Sequence, residues 1–292
     1  MPNQKECFLL RVLAVILALS CLAGPVSAQD LGKAEELYKR TNFEGSLVLV
    51  DKRATDGPSL FLLGRDYYML GDFKKAAEFL EKAAAMEPRN SEYMDWLGRA
   101  YGKRAELANP LMAPGLASKA RQAFERAIEL NGANRDALSD LFDYYLGAPS
   151  FLGGGYEKAS AIAEKMSAVD PSEGYFAQAK LAQKHREYRS AEQHLREAVA
   201  VGPREMGHLI ALARFLANQG RMGESDAVFQ EAAKVNPDSP RLWYARADVF
   251  IQQKRNIDEA KALLRKYVNA QITVDDPPRD SALRLLKETG GA

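Results

Sequence analysis

The sequence predicts an all-α fold, an α-solenoid built from stacked helical hairpins. Two observations lead to this prediction. A unit of about 34 residues recurs along the chain, and glycine or proline marks the turn or the end of most units. Within a unit, apolar residues recur at the three- and four-residue spacing of one helical face. The chain has 292 residues, 47% hydrophobic and 27% charged, as in an ordinary globular protein.

The clearest unit spans residues 57–90 and contains two amphipathic helices. Gly64 lies in the middle of the first helix, where a small residue lets the second helix approach closely. Gly71 breaks the first helix, Leu80 lies on the apolar face of the second, and Pro88 ends it. This arrangement predicts a helical hairpin that reverses into the next unit.

The same pattern divides the chain into about six to seven hairpins and a terminal capping helix. The units are residues 31–56 (degenerate), 57–90, 91–134, 135–171, 172–205, 206–239 and 240–273, and the capping helix is 276–290. Asp275 and Asp276 precede Pro277-Pro278 and indicate a helix entry rather than a metal site. A single pair cannot bury its apolar face alone, so the pairs are expected to stack.

This pattern resembles the tetratricopeptide repeat (TPR) over essentially all of residues 31–273, and unit 57–90 matches almost position for position. The resemblance implies a right-handed superhelix of antiparallel helix pairs. It also implies that the first helices line a concave face that binds other polypeptides. Another kind of helical-hairpin array is the alternative, but other repeat periods fit this chain less well.

The resemblance also implies which side chains face the concave groove. The residue after each small mid-helix residue points into it, and four such residues are basic. The predicted groove residues are Phe61, Arg65, Tyr68, Arg99, Lys103, Phe176, Lys180, Lys184, Arg214 and Tyr244, with Asp143 and Asp248 interrupting the basic series. Either this groove binds an acidic or extended peptide, or it is a solvated face with internal acid–base pairing. The Lys/Asn/Arg set with which some TPR domains bind a terminal carboxylate is not present.

The units 91–134 and 135–171 are longer than the others. Their extra residues are predicted to lie between the two helices of each unit, at residues 102–118 and 147–155. Equivalent loops of a stack emerge on one edge, so the two insertions are expected to be neighbours. Their apolar residues, Leu111, Met112, Phe151 and Leu152, form a contact patch or pack the loops on each other. Packing is favoured because long loops need it. The APSFLGGG loop is similar to that of a group of secreted bacterial TPR proteins.

Residues 1–28 have the layout of a secretory signal peptide. Lys5 and Arg11 precede an apolar run, and Val26-Ser27-Ala28 supplies a cleavage site. The apolar run of about 12 residues is too short to span a bilayer as a helix. Lipid attachment at Cys21 is a less favoured alternative. Cleavage near Ala28 would export a chain with no cysteine and with equal numbers of basic and acidic residues.

Charge and side-chain chemistry narrow the function. A net charge of +1 gives no electrostatic basis for nucleic-acid binding. His185, His194 and His208 have no catalytic or metal-binding partner at a recognisable spacing, so we expect no enzyme activity, no cofactor and no metal. We therefore predict an exported, periplasmic or secreted, TPR scaffold that binds a protein or peptide in the bacterial envelope. The alternatives are a solute-binding accessory of an envelope transporter and, less favoured, an enzyme on a helical scaffold.

Overall fold

The computed structural model describes residues 28–290. The predicted signal peptide, including Cys21, lies outside the described residues apart from its last position. The described part contains fifteen α-helices and no β-strand. The helices are α1 (Ala28–Lys39), α2 (Phe43–Leu49), α3 (Gly57–Met69), α4 (Phe73–Met86), α5 (Ser91–Leu107), α6 (Ala113–Leu130), α7 (Arg135–Gly147), α8 (Tyr156–Val169), α9 (Pro171–Lys184), α10 (Tyr188–Val201), α11 (Met206–Asn218), α12 (Met222–Val235), α13 (Pro240–Gln252), α14 (Ile257–Val268) and α15 (Arg279–Glu288). Among these residues, no helix combines the length and apolar character that a membrane span requires.

The helices pack as successive antiparallel pairs, from α1 with α2 to α13 with α14, and α15 covers the end of the array. The odd-numbered helices of neighbouring pairs also contact one another, namely α1 with α3, α3 with α5, α5 with α7 and α11 with α13. Such contacts place the first helix of each pair on the inner side of the curve. The predicted all-α solenoid is confirmed.

The glycines in the middle of the first helices permit close helix packing. A Cβ atom on Gly64 would lie 2.5 Å from Leu80 Cγ, and one on Gly98 would lie 2.5 Å from Phe124 Cε1. Local caps define where helices begin: the Asp56 carboxylate accepts the Ser59 N–H at 2.9 Å at the start of α3. Pair formation therefore rests on residue types that the repeat pattern already contains.

The insertion at residues 102–118 differs from the predicted loop. α5 continues to Leu107 and α6 begins at Ala113, so most of the insertion lengthens the two helices. Lys103 and Glu106 form an ion pair at 2.8 Å within this extension of α5. The second insertion forms a 3₁₀ turn, Ser150–Leu152, that packs against α6. The two insertions are thus neighbours on one edge.

The segment between α14 and α15 returns toward the beginning of the chain. We call residues 271–278 the strap. Its Ile272 is buried in the apolar cluster of the last hairpin, and the Tyr267 hydroxyl donates a hydrogen bond to the Pro277 carbonyl. Its Val274 packs against the cluster of the first two hairpins, which includes Tyr38. The strap therefore connects the two ends of the solenoid.

Candidate binding groove

The inner face has two parts with different contents. In the first part, α3, α5 and α7 carry aromatic rings and charged side chains that contact one another across successive helices. In the second part, α9, α11 and α13 leave a cavity. The predicted groove residues fall into both parts, and their accessibility differs accordingly.

The first part is centred on Arg99 of α5, which we call the Arg99 cluster together with Asp95, Asp136 and Asp140. The Arg99 guanidinium lies 3.0 Å from Asp95 and 3.6 Å from Asp136, and its Nε donates to Asp140. Asp95 is almost completely buried. Burial raises the pKa of Asp95 to about 8, although the Arg99 charge lowers it. Burial likewise raises the pKa of Asp140.

Aromatic rings fill the space beside this cluster. The ring of Phe61 stacks on that of Tyr93 with their centroids 4.4 Å apart, and Phe61 is buried. Trp96 meets Tyr68 edge-on at 5.4 Å and also lies under the Arg99 guanidinium at 4.9 Å. Phe61 therefore belongs to the interior, and only part of Tyr68 remains accessible.

The predicted basic series is largely neutralised within the chain. Lys180 forms an ion pair with Asp143, one of the two acidic residues that interrupted the series. Arg214 pairs with the other, Asp248, at 3.0 Å. These pairs match the internal-pairing interpretation of the charge pattern. Lys184 is exposed, at the end of α9.

Arg65 is different from the other predicted groove cations. Its guanidinium carbon lies 4.5 Å from the ring centroids of both Tyr38 and Phe61. Within residues 28–290 no carboxylate lies within 4.0 Å of its nitrogens, and its buried Nε has no hydrogen-bond partner. Arg65 is thus in contact with two rings and has no ion-pair partner in residues 28–290.

The second part of the inner face contains a cavity of about 650 Å³. The predicted groove residues Phe176, Arg214 and Tyr244 line it. Further lining side chains, not predicted as site residues, come from helix N-termini and from the strap: Glu173, Glu205, His208, Arg241, Asp275 and Asp276. The cavity is therefore an accessible part of the groove, and it combines two aromatic rings with charges of both signs.

His208 connects two hairpins at the cavity wall. It is buried, its Nδ1 lies 2.9 Å from Ser172 Oγ, and its Nε2 lies 3.3 Å from Glu173 Oε1. Its ring also packs against Phe176, with centroids 5.2 Å apart. Because all its polar atoms are engaged, His208 orders the wall of the cavity rather than presenting a free base.

The predicted edge patch is accessible only in part. Leu111, Met112 and Phe151 are exposed, whereas Leu152 is half-buried and its carbonyl accepts a hydrogen bond from the Tyr144 hydroxyl at 2.8 Å. No group of three or more His, Cys, Asp or Glu side chains in residues 28–290 is arranged to hold a metal ion.

Comparisons with known proteins agree with this architecture. Tetratricopeptide repeat family models match residues 58–90, 176–225 and 223–277. A TPR protein structure from Parabacteroides merdae ATCC 43184 matches at a TM-score of 0.57 and 15% identity, covering 90% of this chain and 98% of that one. A thermophilic TPR protein from Thermus thermophilus matches at a TM-score of 0.54 and 21% identity, covering 64% of this chain and 97% of that one.

No curated protein sequence gives a significant match. The repeat models and the solved structures point to the same two-helix unit that builds the inner face described above. The chain therefore carries tetratricopeptide repeats at residues 58–90 and 176–277, and its fold is that of solved TPR proteins.

Proposed function

We propose that this protein is an exported, non-catalytic TPR scaffold of the bacterial envelope that binds another polypeptide through its concave groove. The TPR fold supports a role in protein–protein interaction. The cavity on α9, α11 and α13 carries the proposal, because it offers two aromatic rings and accessible charges on the inner face. Export is proposed from the signal-peptide pattern of residues 1–28 and from the likeness of the APSFLGGG loop to secreted bacterial TPR proteins.

A cavity-filling variant tests this proposal without breaking an ion pair. Gly207 lines the cavity, and a Cβ at that position would meet no atom within 4 Å. Gly207→Trp therefore fills the cavity with an indole ring while α11 is retained. Gly223→Trp is the matched control, since Gly223 is also the second residue of a helix and is equally unobstructed.

The measurement is affinity capture from an envelope extract with residues 29–292 and the two variants as baits. We expect a polypeptide that the parent and Gly223→Trp retain and that Gly207→Trp loses. A partner retained equally by all three baits would remove the cavity from the binding site. Charge reversal of Arg65, Arg99, Lys180 and Arg214 together is a poorer test, because it would break three internal sets of ion pairs.

The cavity also supports solute binding as a second candidate function, as an accessory to an envelope transporter. Its volume of about 650 Å³ lies within the range of about 300–1,000 Å³ usual for small-molecule sites. The strap residues Asp275, Asp276 and Pro277 form one of its walls. A small molecule extracted from purified Gly223→Trp and absent from Gly207→Trp, detected by mass spectrometry, would favour this function over polypeptide binding.

A further inference from the structure

The strap crosses from the last hairpin to the first ones with few attachments at its tip. Its base is held by the buried Ile272 and by the hydrogen bond from Tyr267 to Pro277. Its turn is held by Asp276, whose Oδ2 accepts the Thr273 N–H at 2.8 Å. Within this turn, Val274 is the strap residue that packs on the cluster of the first two hairpins. A single half-buried side chain therefore docks the tip.

The docking position of Val274 is linked to Arg65 through Tyr38. The cluster that Val274 contacts includes Tyr38, and the Arg65 guanidinium lies over the Tyr38 ring at 4.5 Å. Asp275, the next strap residue, is exposed and has no hydrogen bond or ion pair with residues 28–290. Val274, which is followed by a carboxylate, thus packs on the apolar cluster whose Tyr38 ring also contacts the Arg65 guanidinium.

The other groove cations show why this position is distinctive. Arg99, Lys180 and Arg214 each have a carboxylate from the inner face as a partner. The Arg65 guanidinium contacts two aromatic rings, but no carboxylate of residues 28–290 lies within 4.0 Å of its nitrogens. A planar guanidinium held in this way is suited to bind a carboxylate in a bidentate manner.

We propose that the strap is an intramolecular competitor for the partner, and that the partner presents an extended segment of the same chemistry, an apolar residue followed by carboxylates. This inference rests on the proposed function and identifies its partner class. The partner's apolar side chain replaces Val274 on the Tyr38 cluster, and its carboxylate binds Arg65. The strap is covalently tethered, so its high effective concentration keeps weaker segments out of the groove.

The probe for this proposal is a fluorescein-labelled peptide with the strap sequence QITVDDPP, residues 271–278, and the readout is fluorescence anisotropy. Val274→Asp in the chain of residues 29–292 undocks the tethered tip by burying a charge. Val48→Asp is the matched control because Val48 is 83% exposed. We expect Val274→Asp to bind the peptide at least about tenfold more tightly than the parent and Val48→Asp do.

A second substitution tests whether Arg65 is the cation that binds the peptide. Arg65→Met keeps apolar contact with the rings of Tyr38 and Phe61 but removes the charge. Added to Val274→Asp, it should abolish the gain in peptide affinity. Equal affinities of the parent and Val274→Asp, or a gain that persists without Arg65, would overturn the proposal.

The two proposals fail in different ways. A captured partner that Gly207→Trp loses but that the parent and Val274→Asp hold equally well would sustain the proposed function and overturn the strap as a competitor. Tenfold tighter peptide binding by Val274→Asp, combined with partner capture that Gly207→Trp leaves unchanged, would sustain the strap and remove the cavity from the proposed function.

Discussion

The two parts of the inner face differ in how the space between successive first helices is occupied. On α3, α5 and α7, the Arg99 cluster and the rings of Phe61, Tyr68 and Trp96 fill the space between successive first helices. On α9, α11 and α13, the space stays open as a cavity of about 650 Å³. The first part is thus largely filled by its own side chains, with Arg65 at its edge, and the second part leaves an open cavity.

Carboxyl groups in the two halves of the described chain have different electrostatic environments. Burial raises the pKa of Asp66 to about 7 and of Asp95 to about 8 in the first hairpins. In the second half, a hydrogen bond from Arg255 lowers the pKa of Asp226, with nitrogen–oxygen distances of 2.7 and 2.8 Å. The carboxylates of Asp66 and Asp95 are therefore buried at a cost, whereas that of Asp226 is compensated. Comparable repeats can hold their charges in very different environments.

The largest expected effect separates the two parts through their arginines. Arg99→Met leaves the buried Asp95 and its neighbour Asp140 without a cation, and we expect a loss of about 3 kcal/mol of unfolding free energy at pH 8. Arg214→Met removes an ion pair whose arginine side chain is 41% exposed, and should cost less than about 1 kcal/mol. Urea unfolding of both variants measures the difference. Similar losses of unfolding free energy in the two variants would mean that the first part of the inner face is no more closed to solvent than the second part.

A smaller effect depends on pH and concerns Asp66, which is completely buried with neither carboxylate oxygen in a hydrogen bond of normal geometry. Its pKa in the folded chain, about 7, lies above its ordinary value of 3.8. The folded state therefore binds this proton more tightly, and the associated stability is present below pH 3.8 and is lost as the pH rises to 7. Asp66→Asn removes this pH-dependent loss of stability, because the asparagine side chain does not titrate.

We expect Asp66→Asn to gain about 2 kcal/mol of unfolding free energy relative to the parent when the pH changes from 5 to 8. Urea unfolding at the two pH values gives the difference, and Asp258→Asn, at an exposed position, serves as the control. If the two variants showed the same pH dependence, the carboxyl group of Asp66 would not be the source of the effect.

The repeat pattern predicted much of the fold because its determinants are local. Gly64 and Leu80 lie within one unit, and their spacing predicts a close helix pair whether or not other units are known. The insertion at 102–118 was predicted as an expanded connection from the excess length of its unit, and length alone does not show that most of it extends α5 and α6. Only Pro110 lies in the connection, since Pro114 fits the first turn of α6, where its missing N–H has no cost.

The site was harder to predict because its contacts join different units. Arg99 and Asp140 are 41 residues apart, and their pairing depends on how α5 and α7 are rotated against each other. Asp275 and Asp276 were interpreted as a helix entry, and the Asp276 carboxylate instead holds the turn of the strap. Contact between Val274 and the Tyr38 cluster depends on curvature summed over the whole array, which no single unit encodes.

The smallest expected effect compares two glycines of first helices, one in each part of the inner face. A Cβ on Gly98 would lie 2.5 Å from Phe124 Cε1, so the ring would have to shift. A Cβ on Gly207 meets nothing within 4 Å. Both changes to alanine gain helix propensity, by up to about 1 kcal/mol. For Gly98→Ala the overpacking outweighs this gain, and we expect a net loss of about 1 kcal/mol.

Gly207→Ala should instead stabilise the chain by about 0.5–1 kcal/mol, because the gain in propensity has no opposing contact. Thermal unfolding of the two variants beside the parent would show shifts of opposite sign. Shifts of the same sign would mean that the helices around Gly98 can separate as freely as those around the cavity. Opposite signs would show that Gly98 lies against its partner helix with no room for a Cβ atom, whereas Gly207 borders the open space of the cavity.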